Sequence, residues 1–322
     1  MKAILFDRLG GPEVMYPGEV PKPALRPGGV LVHNRVIAVN FADTFFTRGE
    51  YIVRPVFPDI PGMESAGVID AVAPDVTDLK PGMRVACIGM GTYAEYTLIG
   101  RSRVIPLPDF MSFEQGAALP IAMLTAWHML NTLHTVRPGD NVLVHSAAGA
   151  VGIAAVQIAK AAGARVIGTV SSAEKAAIAR QYGADEVIDY ETQDFAAEAK
   201  RLTGGRGVDL ILDAVGKPTF ARGLTCLAPF GHLILFGRAG GAPGPIDPMK
   251  LFERSLRVSG FVLPHIYSNR ELMRRGLDDA FRLIREGRLT VPIGGTYPLA
   301  EAAAAHRHVM SRSSIGKLIL MP

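Results

Sequence analysis

The chain has 322 residues, of which 48% are apolar and 20% charged, with a formal net charge of +4. That length exceeds what one hydrophobic core normally serves, so two domains are expected, and no uncharged apolar run reaches the roughly 18 residues needed to span a bilayer. Lys and Arg are scattered rather than gathered into a basic stripe, which argues against nucleic acid as a partner. Cys87 and Cys226 form no CxxC pair and supply neither a disulfide framework nor a thiolate zinc site, so a reducing, cytoplasmic setting is expected.

The first seven residues read as a β-strand, with Asp7 where a secretory signal would continue its apolar stretch, so export is not expected. Up to about residue 110 the chain is rich in Pro, Gly and β-branched residues, with antiparallel strand patterns at 29–36 and 65–72. Pro27-Gly28, Pro61-Gly62, Pro81-Gly82 and Pro138-Gly139 mark the tight turns. From about 120 the pattern changes to short apolar strands alternating with Ala-rich helices, the signature of parallel βαβ units. Strands are expected at 141–145, 165–170, 186–190, 208–213, 232–237 and 256–262, with helices near 151–160 and 173–182. Amphipathic helices near 271–287 and 301–311 and a last strand at 317–320 are expected to follow. The fold class is therefore α/β, a β-domain joined to a doubly wound parallel sheet.

After the strand at 141–145 comes the turn Ser146, Ala147, Ala148, Gly149, Ala150, Val151, Gly152, which has Ala147 at the first glycine of a GxGxxG pattern. Gly149 permits close approach of a pyrophosphate, Gly152 permits close packing of helix on strand, and the free amides at the helix start supply an anion site. The strand at 165–170 ends in Ser171 and Ser172 instead of the Asp or Glu that would hold the ribose 2′-hydroxyl of NAD. With Lys175 and Tyr190 nearby in the pattern, a 2′-phosphate is the better fit, so NADPH is the expected cofactor.

Several segments together resemble the medium-chain dehydrogenase/reductase superfamily, particularly its quinone oxidoreductase branch, over nearly the whole chain. They are Val39-Asn40-Phe41-Ala42-Asp43-Thr44 with Arg48-Gly49-Glu50-Tyr51, the run from Pro61 to Gly67, Thr125-Ala126-Trp127, the run from Ser146 to Gly152, and Gly316-Lys317-Leu318. The resemblance implies a GroES-like catalytic and substrate domain at 1–122 and 264–322, and a Rossmann NADPH-binding domain at 123–263. Zinc-dependent relatives place ligands where this chain has Asn40, Met63 and Ile121, side chains that cannot form the usual metal set, so no metal is expected. Glu64 and Asp43 would offer an oxygen pair without a third donor, and are read as turn and supporting hydrogen-bond residues.

Without a Lewis acid the substrate oxygen must be polarised by hydrogen-bond donors. Tyr51 matches a family tyrosine and is the expected donor, with Asn40, Asp43 and Arg48 shaping the pocket; its alternative is a loop aromatic packed on Pro55 and Phe57. Tyr93 is read as strand structure, and His128 and His145 as structural histidines. The resemblance also places Thr125 near the nicotinamide ribose, and Phe236, Gly237, Arg238, Phe261, Val262 and Leu263 around the nicotinamide. Lys317 is expected near the cofactor or in a surface salt bridge.

The implied reaction is zinc-independent hydride transfer from NADPH to a quinone or enone. Its rivals are enoyl-thioester reduction and, from another class, a redox-silent NADPH-binding protein with a structural or RNA-interacting role. The implied partners are a small-molecule quinone or enone and a second copy of the chain, paired through the edge of the parallel sheet near 256–262; neither nucleic acid nor membrane is expected.

Overall fold

The computed structural model describes residues 1–290 and 292–322. In chain order the elements begin β1 (Lys2–Leu5), β2 (Tyr16–Glu19), β3 (Gly29–Val39), α1 (Phe41–Thr47), β4 (Glu64–Val72), β5 (Arg84–Ile88), β6 (Tyr96–Gly100), β7 (Val104–Pro106), α2 (Phe113–Ala118) and α3 (Pro120–His128). They continue as β8 (Asn141–His145), α4 (Ala150–Ala161), β9 (Arg165–Val170), α5 (Ala173–Gln181), β10 (Glu186–Asp189), α6 (Phe195–Leu202), β11 (Val208–Asp213), α7 (Phe220–Cys226) and β12 (Leu227–Leu235). The last are α8 (Pro248–Phe252), β13 (Arg257–Gly260), α9 (Arg270–Arg285), β14 (Ile293–Pro298), α10 (Ala302–Met310) and β15 (Lys317–Met321). None of these helices is long and apolar enough to cross a membrane.

Their apolar faces sort the chain into two compact units, Met1–Ile121 with Val291–Pro322, and Ala122–Thr290. In the first, β3 is the centre of a seven-stranded sheet ordered β14-β15-β3-β4-β5-β7, with β6 also paired to β3. Alternation along β3 sends Val30 and Val32 to a cluster with Ile69, Val85 and Ile99, and Ile37 and Val39 to one with Phe6, Phe46, Tyr93 and Leu318. Because β15 and β4 both run antiparallel to β3, the start of β15 and the start of β4 meet the end of β3.

The second unit is a six-stranded parallel sheet ordered β10-β9-β8-β11-β12-β13, the doubly wound arrangement whose order reverses between β8 and β11. β8, β9 and β11 fall on the expected apolar runs, and their side chains are buried on both faces, which is why the runs show little alternation. The chain leaves this unit at residue 290, later than the expected boundary at 263. The reason is α9: its buried residues Met273, Gly276, Ala280 and Leu283 form one stripe, and a Cβ on Gly276 would lie 2.8 Å from Leu124 and 3.4 Å from Trp127, both on α3. Trp127 Nε1 also donates to Asp279 at 2.8 Å.

Replacing Trp127 with Phe removes that hydrogen bond and keeps most of the apolar contact. It should cost about 1 kcal/mol of local stability, seen as faster hydrogen exchange in α9 with β8 to β12 unaffected. Unchanged exchange in α9 would show that the indole bond does not anchor it.

Candidate active site

All six strands of the second unit are parallel, so the segments that follow them emerge at one edge of the sheet, where doubly wound folds bind ligands. After β8 the chain turns through Ser146, held at φ 57°, to Gly149, the N-cap of α4. A Cβ on Gly152 would lie 2.2 Å from the Ser146 carbonyl oxygen, so only a glycine lets the first turn of α4 close on this bend. No side chain caps α4, which leaves the amides of Ala150, Val151 and Gly152 and the positive end of the helix dipole facing the edge beyond Ala148 and Gly149. His145, just before the turn, is buried and bonded through Nδ1 to Thr169 Oγ1 at 2.8 Å. Burial pushes its pKa down to about 4, consistent with a neutral structural residue.

Beyond β9, Ser172 accepts the Lys175 N–H at 3.3 Å and caps α5, while Ser171 lies one residue before it. Burial lowers the Lys175 pKa and Glu174 opposes the shift. Tyr190 follows β10, is 38% exposed, and donates its backbone N–H to the Val170 oxygen at 3.0 Å. Ser171, Ser172, Lys175 and Tyr190 thus share one corner, and the end of β9 brings no carboxylate to it.

Asp213, at the end of β11, was not singled out from sequence and organises the far side of the switch point. Fully buried, it accepts the N–H groups of Val215 and Gly216 at 2.8 and 3.0 Å and the Thr219 hydroxyl at 2.8 Å. The turn it builds carries the segment after β12: Ala239 and Gly240 donate to the oxygens of Ala214 and Val215 at 3.1 and 2.7 Å. Within that segment Phe236 gives its N–H to Asp213 O at 2.9 Å, and a Cβ on Gly237 would meet Ala214 O at 2.7 Å. Arg238 follows in the same stretch. After β13, Phe261 gives its N–H to Leu235 O at 2.9 Å, Val262 is half-buried and Leu263 is buried. The Phe261 ring stacks on His128 at 6.4 Å; this ties α3, with Thr125 only 7% exposed, to the same edge.

The other candidates belong to the first unit, where the ends of β3, β4 and β15 meet. Asn40 ends β3 and begins α1; its Nδ2 donates to Glu64 Oε1 at 3.0 Å and its Oδ1 accepts from Lys317 Nζ at 2.5 Å. Lys317 and Glu64 form a salt bridge with side chains 3% and 0% exposed, and Glu64 Oε2 accepts the Ile121 N–H at 2.8 Å. The reading of Lys317 as a surface ion pair gives way to a buried pair, because its place at the start of β15 sets the ammonium between two strand ends. Glu64 is the hub of this group, and its Met-Glu-Ser setting in a strand start offered no signal that a lysine 253 positions later would neutralise it.

Asp43 does not line a pocket: it is fully buried, accepting the Asn40 N–H at 2.8 Å and the Tyr93 hydroxyl at 2.9 Å. Tyr93, expected as strand structure, lies in the loop before β6, and its hydroxyl is 3.0 Å from His306 Nε2. Gly62, at φ 97°, makes room for it, since a Cβ there would lie 2.2 Å from the ring. Burial pushes His306 down to about 3, so the ring is neutral; with Tyr93 donating to Asp43, the imidazole N–H must sit on Nε2 and point at the phenol oxygen. Tyr51 packs against the Ile4–Phe6–Phe46 cluster rather than standing free, and burial, then Asp43, push its pKa up to about 12. Arg48 lies over the Phe45 ring at 5.1 Å and pairs with Glu50 at 3.3 Å. Among the described residues no group of three or more His, Cys, Asp and Glu side chains is placed to hold a metal ion.

Residues 26–109 match the family of alcohol dehydrogenase GroES-like domains, and residues 150–278 that of zinc-binding dehydrogenases. The chain is 38% identical to a quinone oxidoreductase of Pseudomonas aeruginosa, covering 100% of this chain and 99% of that protein. It is 37% identical to a 2-haloacrylate reductase of Burkholderia, covering 99% and 98%. The crystal structure of Escherichia coli quinone oxidoreductase complexed with NADPH superposes with a TM-score of 0.96 at 34% identity, covering 100% of both chains. The chain belongs to the medium-chain dehydrogenase/reductase superfamily, in its quinone oxidoreductase branch.

Burial, ahead of the opposing Asn40, Tyr93 and Lys317 contacts, raises the Asp43 pKa from 3.8 to about 7. A carboxyl whose pKa rises on folding contributes stability below its unfolded pKa and loses it as pH rises through the folded value. Wild-type protein should therefore become easier to unfold in urea between about pH 4 and pH 8 relative to Asp43→Asn, which keeps an acceptor for Asn40 and Tyr93 but has no proton to lose. Parallel urea midpoints for the two proteins across that window would contradict a buried, titrating Asp43.

Proposed function

We propose that the protein is an NADPH-dependent, zinc-independent reductase of quinones and α,β-unsaturated carbonyl compounds. The observation that carries the reading is the corner beyond β9, where the strand ends in Ser171 and Ser172 rather than in an Asp or Glu and Lys175 follows in the first turn of α5, in a chain that matches an NADPH-bound quinone oxidoreductase from end to end. The amides of α4 suit a pyrophosphate, and the Ser171–Ser172–Lys175–Tyr190 corner suits a 2′-phosphate by charge and by donor count. Thr125 and the segments at Phe236–Arg238 and Phe261–Leu263 are the residues we assign to the nicotinamide end. The 2-haloacrylate reductase among the relatives supports an activated alkene as a second acceptor class.

NADPH, when bound, supplies a hydride from its nicotinamide ring. This chain's own residues then have to hold the acceptor's carbonyl oxygen while negative charge builds on it, and the proton that completes the reduction comes from water or a hydroxyl. Asn40 offers an amide donor; Tyr51, with its pKa near 12, offers a hydrogen bond and keeps its proton at neutral pH. Arg48 is held beside Phe45 and Glu50 and borders this region. Asn40, Met63 and Ile121, which stand where zinc-dependent relatives place their ligands, support chemistry without zinc. The edge position of β13 supports pairing of two copies through that strand, and a cytoplasmic setting fits two buried, unpaired thiols.

The test is steady-state oxidation of NADPH, with NADH as control, against 1,4-benzoquinone, 9,10-phenanthrenequinone and a simple enone, before and after chelator treatment. Chelator-resistant turnover preferring NADPH is expected, and Lys175→Ala should raise the KM for NADPH about tenfold, with little change for NADH. Tight NADPH binding without reduction of any acceptor would favour the redox-silent alternative, and loss of activity on chelation would remove the zinc-free part.

A further inference from the structure

A buried ammonium must find acceptors, and Lys317 finds the Asn40 amide oxygen and the Glu64 carboxylate. This fixes which way the amide faces. Turned over, Asn40 would press its NH2 against an ammonium and its oxygen against a carboxylate, so Oδ1 belongs to Lys317 and Nδ2 to Glu64 on chemical grounds alone. Glu64 is itself tethered by the Ile121 N–H, so the amide cannot swing with it. Nδ2 carries two protons, and Glu64 takes one. Asn40 as a residue is half-buried rather than enclosed, and a cation on its amide oxygen draws electron density from the nitrogen, strengthening the N–H that remains. Tyr51, by contrast, packs its ring against the apolar cluster of Ile4, Phe6 and Phe46.

We infer that Lys317 and Glu64 are positioning residues that orient and polarise the Asn40 amide, making its second N–H, ahead of the Tyr51 hydroxyl, the principal donor to the carbonyl oxygen of the acceptor. The inference rests on the reductase reading above. Removing either charge alone leaves the other buried and unpaired, which destabilises whatever the pair does in catalysis. Removing both as Lys317→Met with Glu64→Gln leaves no unpaired charge and keeps an acceptor for the Ile121 N–H, so the double variant separates positioning from folding.

The experiment measures NADPH affinity by fluorescence titration, and kcat and KM with 9,10-phenanthrenequinone, for wild type, the double variant, Lys317→Arg, Asn40→Ala and Tyr51→Phe. The double variant should bind NADPH within about twofold of wild type and lose roughly 10- to 100-fold in kcat through a loosened donor. Asn40→Ala should lose about 100-fold or more, Tyr51→Phe less than either, and Lys317→Arg should recover most of the rate. A folded double variant with wild-type kcat, or a larger loss in Tyr51→Phe than in Asn40→Ala, would overturn the inference. Wild-type protein that binds NADPH but reduces no acceptor would instead overturn the reductase reading, and the inference with it.

Discussion

Taking a lysine ammonium and a glutamate carboxylate out of water costs several kcal/mol for each ion unless they meet each other and find further hydrogen bonds. In the first unit that requirement is met at the junction of β15, β3 and β4, where Lys317 and Glu64 lie beside Asn40. The antiparallel pairing of β3 with both neighbours makes the junction possible, since it brings a strand end and two strand starts together. The polar cluster continues inward through the Asn40 N–H to Asp43, Tyr93 and His306, and each step depends on a neutral or shared proton at the next. The Lys317–Glu64 pair resists rearrangement because separating it would leave a buried charge without a partner.

The second unit solves a different problem with backbone instead of side chains. Its ligand edge is shaped by close approaches: Gly152 against the Ser146 oxygen and Gly237 against Ala214. Asp213 holds the turn on which the segment after β12 rests. These contacts shape the turn while leaving the start of α4 without a side-chain cap, so its first amides face the ligand edge.

Much of this was legible in the residue order. The runs at 141–145, 165–170 and 208–213 match β8, β9 and β11, because strands buried on both faces must be continuously apolar and Gly or Pro bounds them. β12 begins five residues before the expected strand, at Leu227, and runs through Pro229 and Gly231, residue types that ordinarily interrupt strands. β14 was missed for a similar reason: Gly294 and Gly295 are poor strand formers, and the segment is held by parallel pairing to β15, a contact no local pattern reveals. At the site, Asn40, Asp43 and Tyr51 stood out by motif, whereas the roles of Glu64, Lys317, Tyr93 and His306 depend on partners far along the chain. Charge type alone cannot say that Lys317 is buried; only the strand order does.

The attachment of α9 to α3 decides where members of this superfamily can be recombined. The helix follows the last strand of the parallel sheet and precedes the strands that return to the first unit, yet Trp127, Asp279 and the bare backbone at Gly276 bind it to the dinucleotide-binding half. A chimaera that exchanged this half at residue 263 would set a foreign α3 against the resident α9 and ask the backbone at Gly276, shaped to Leu124 and Trp127, to accept other side chains. Joined at residue 290, the exchanged piece carries both helices and their shared surface as a single heritable module.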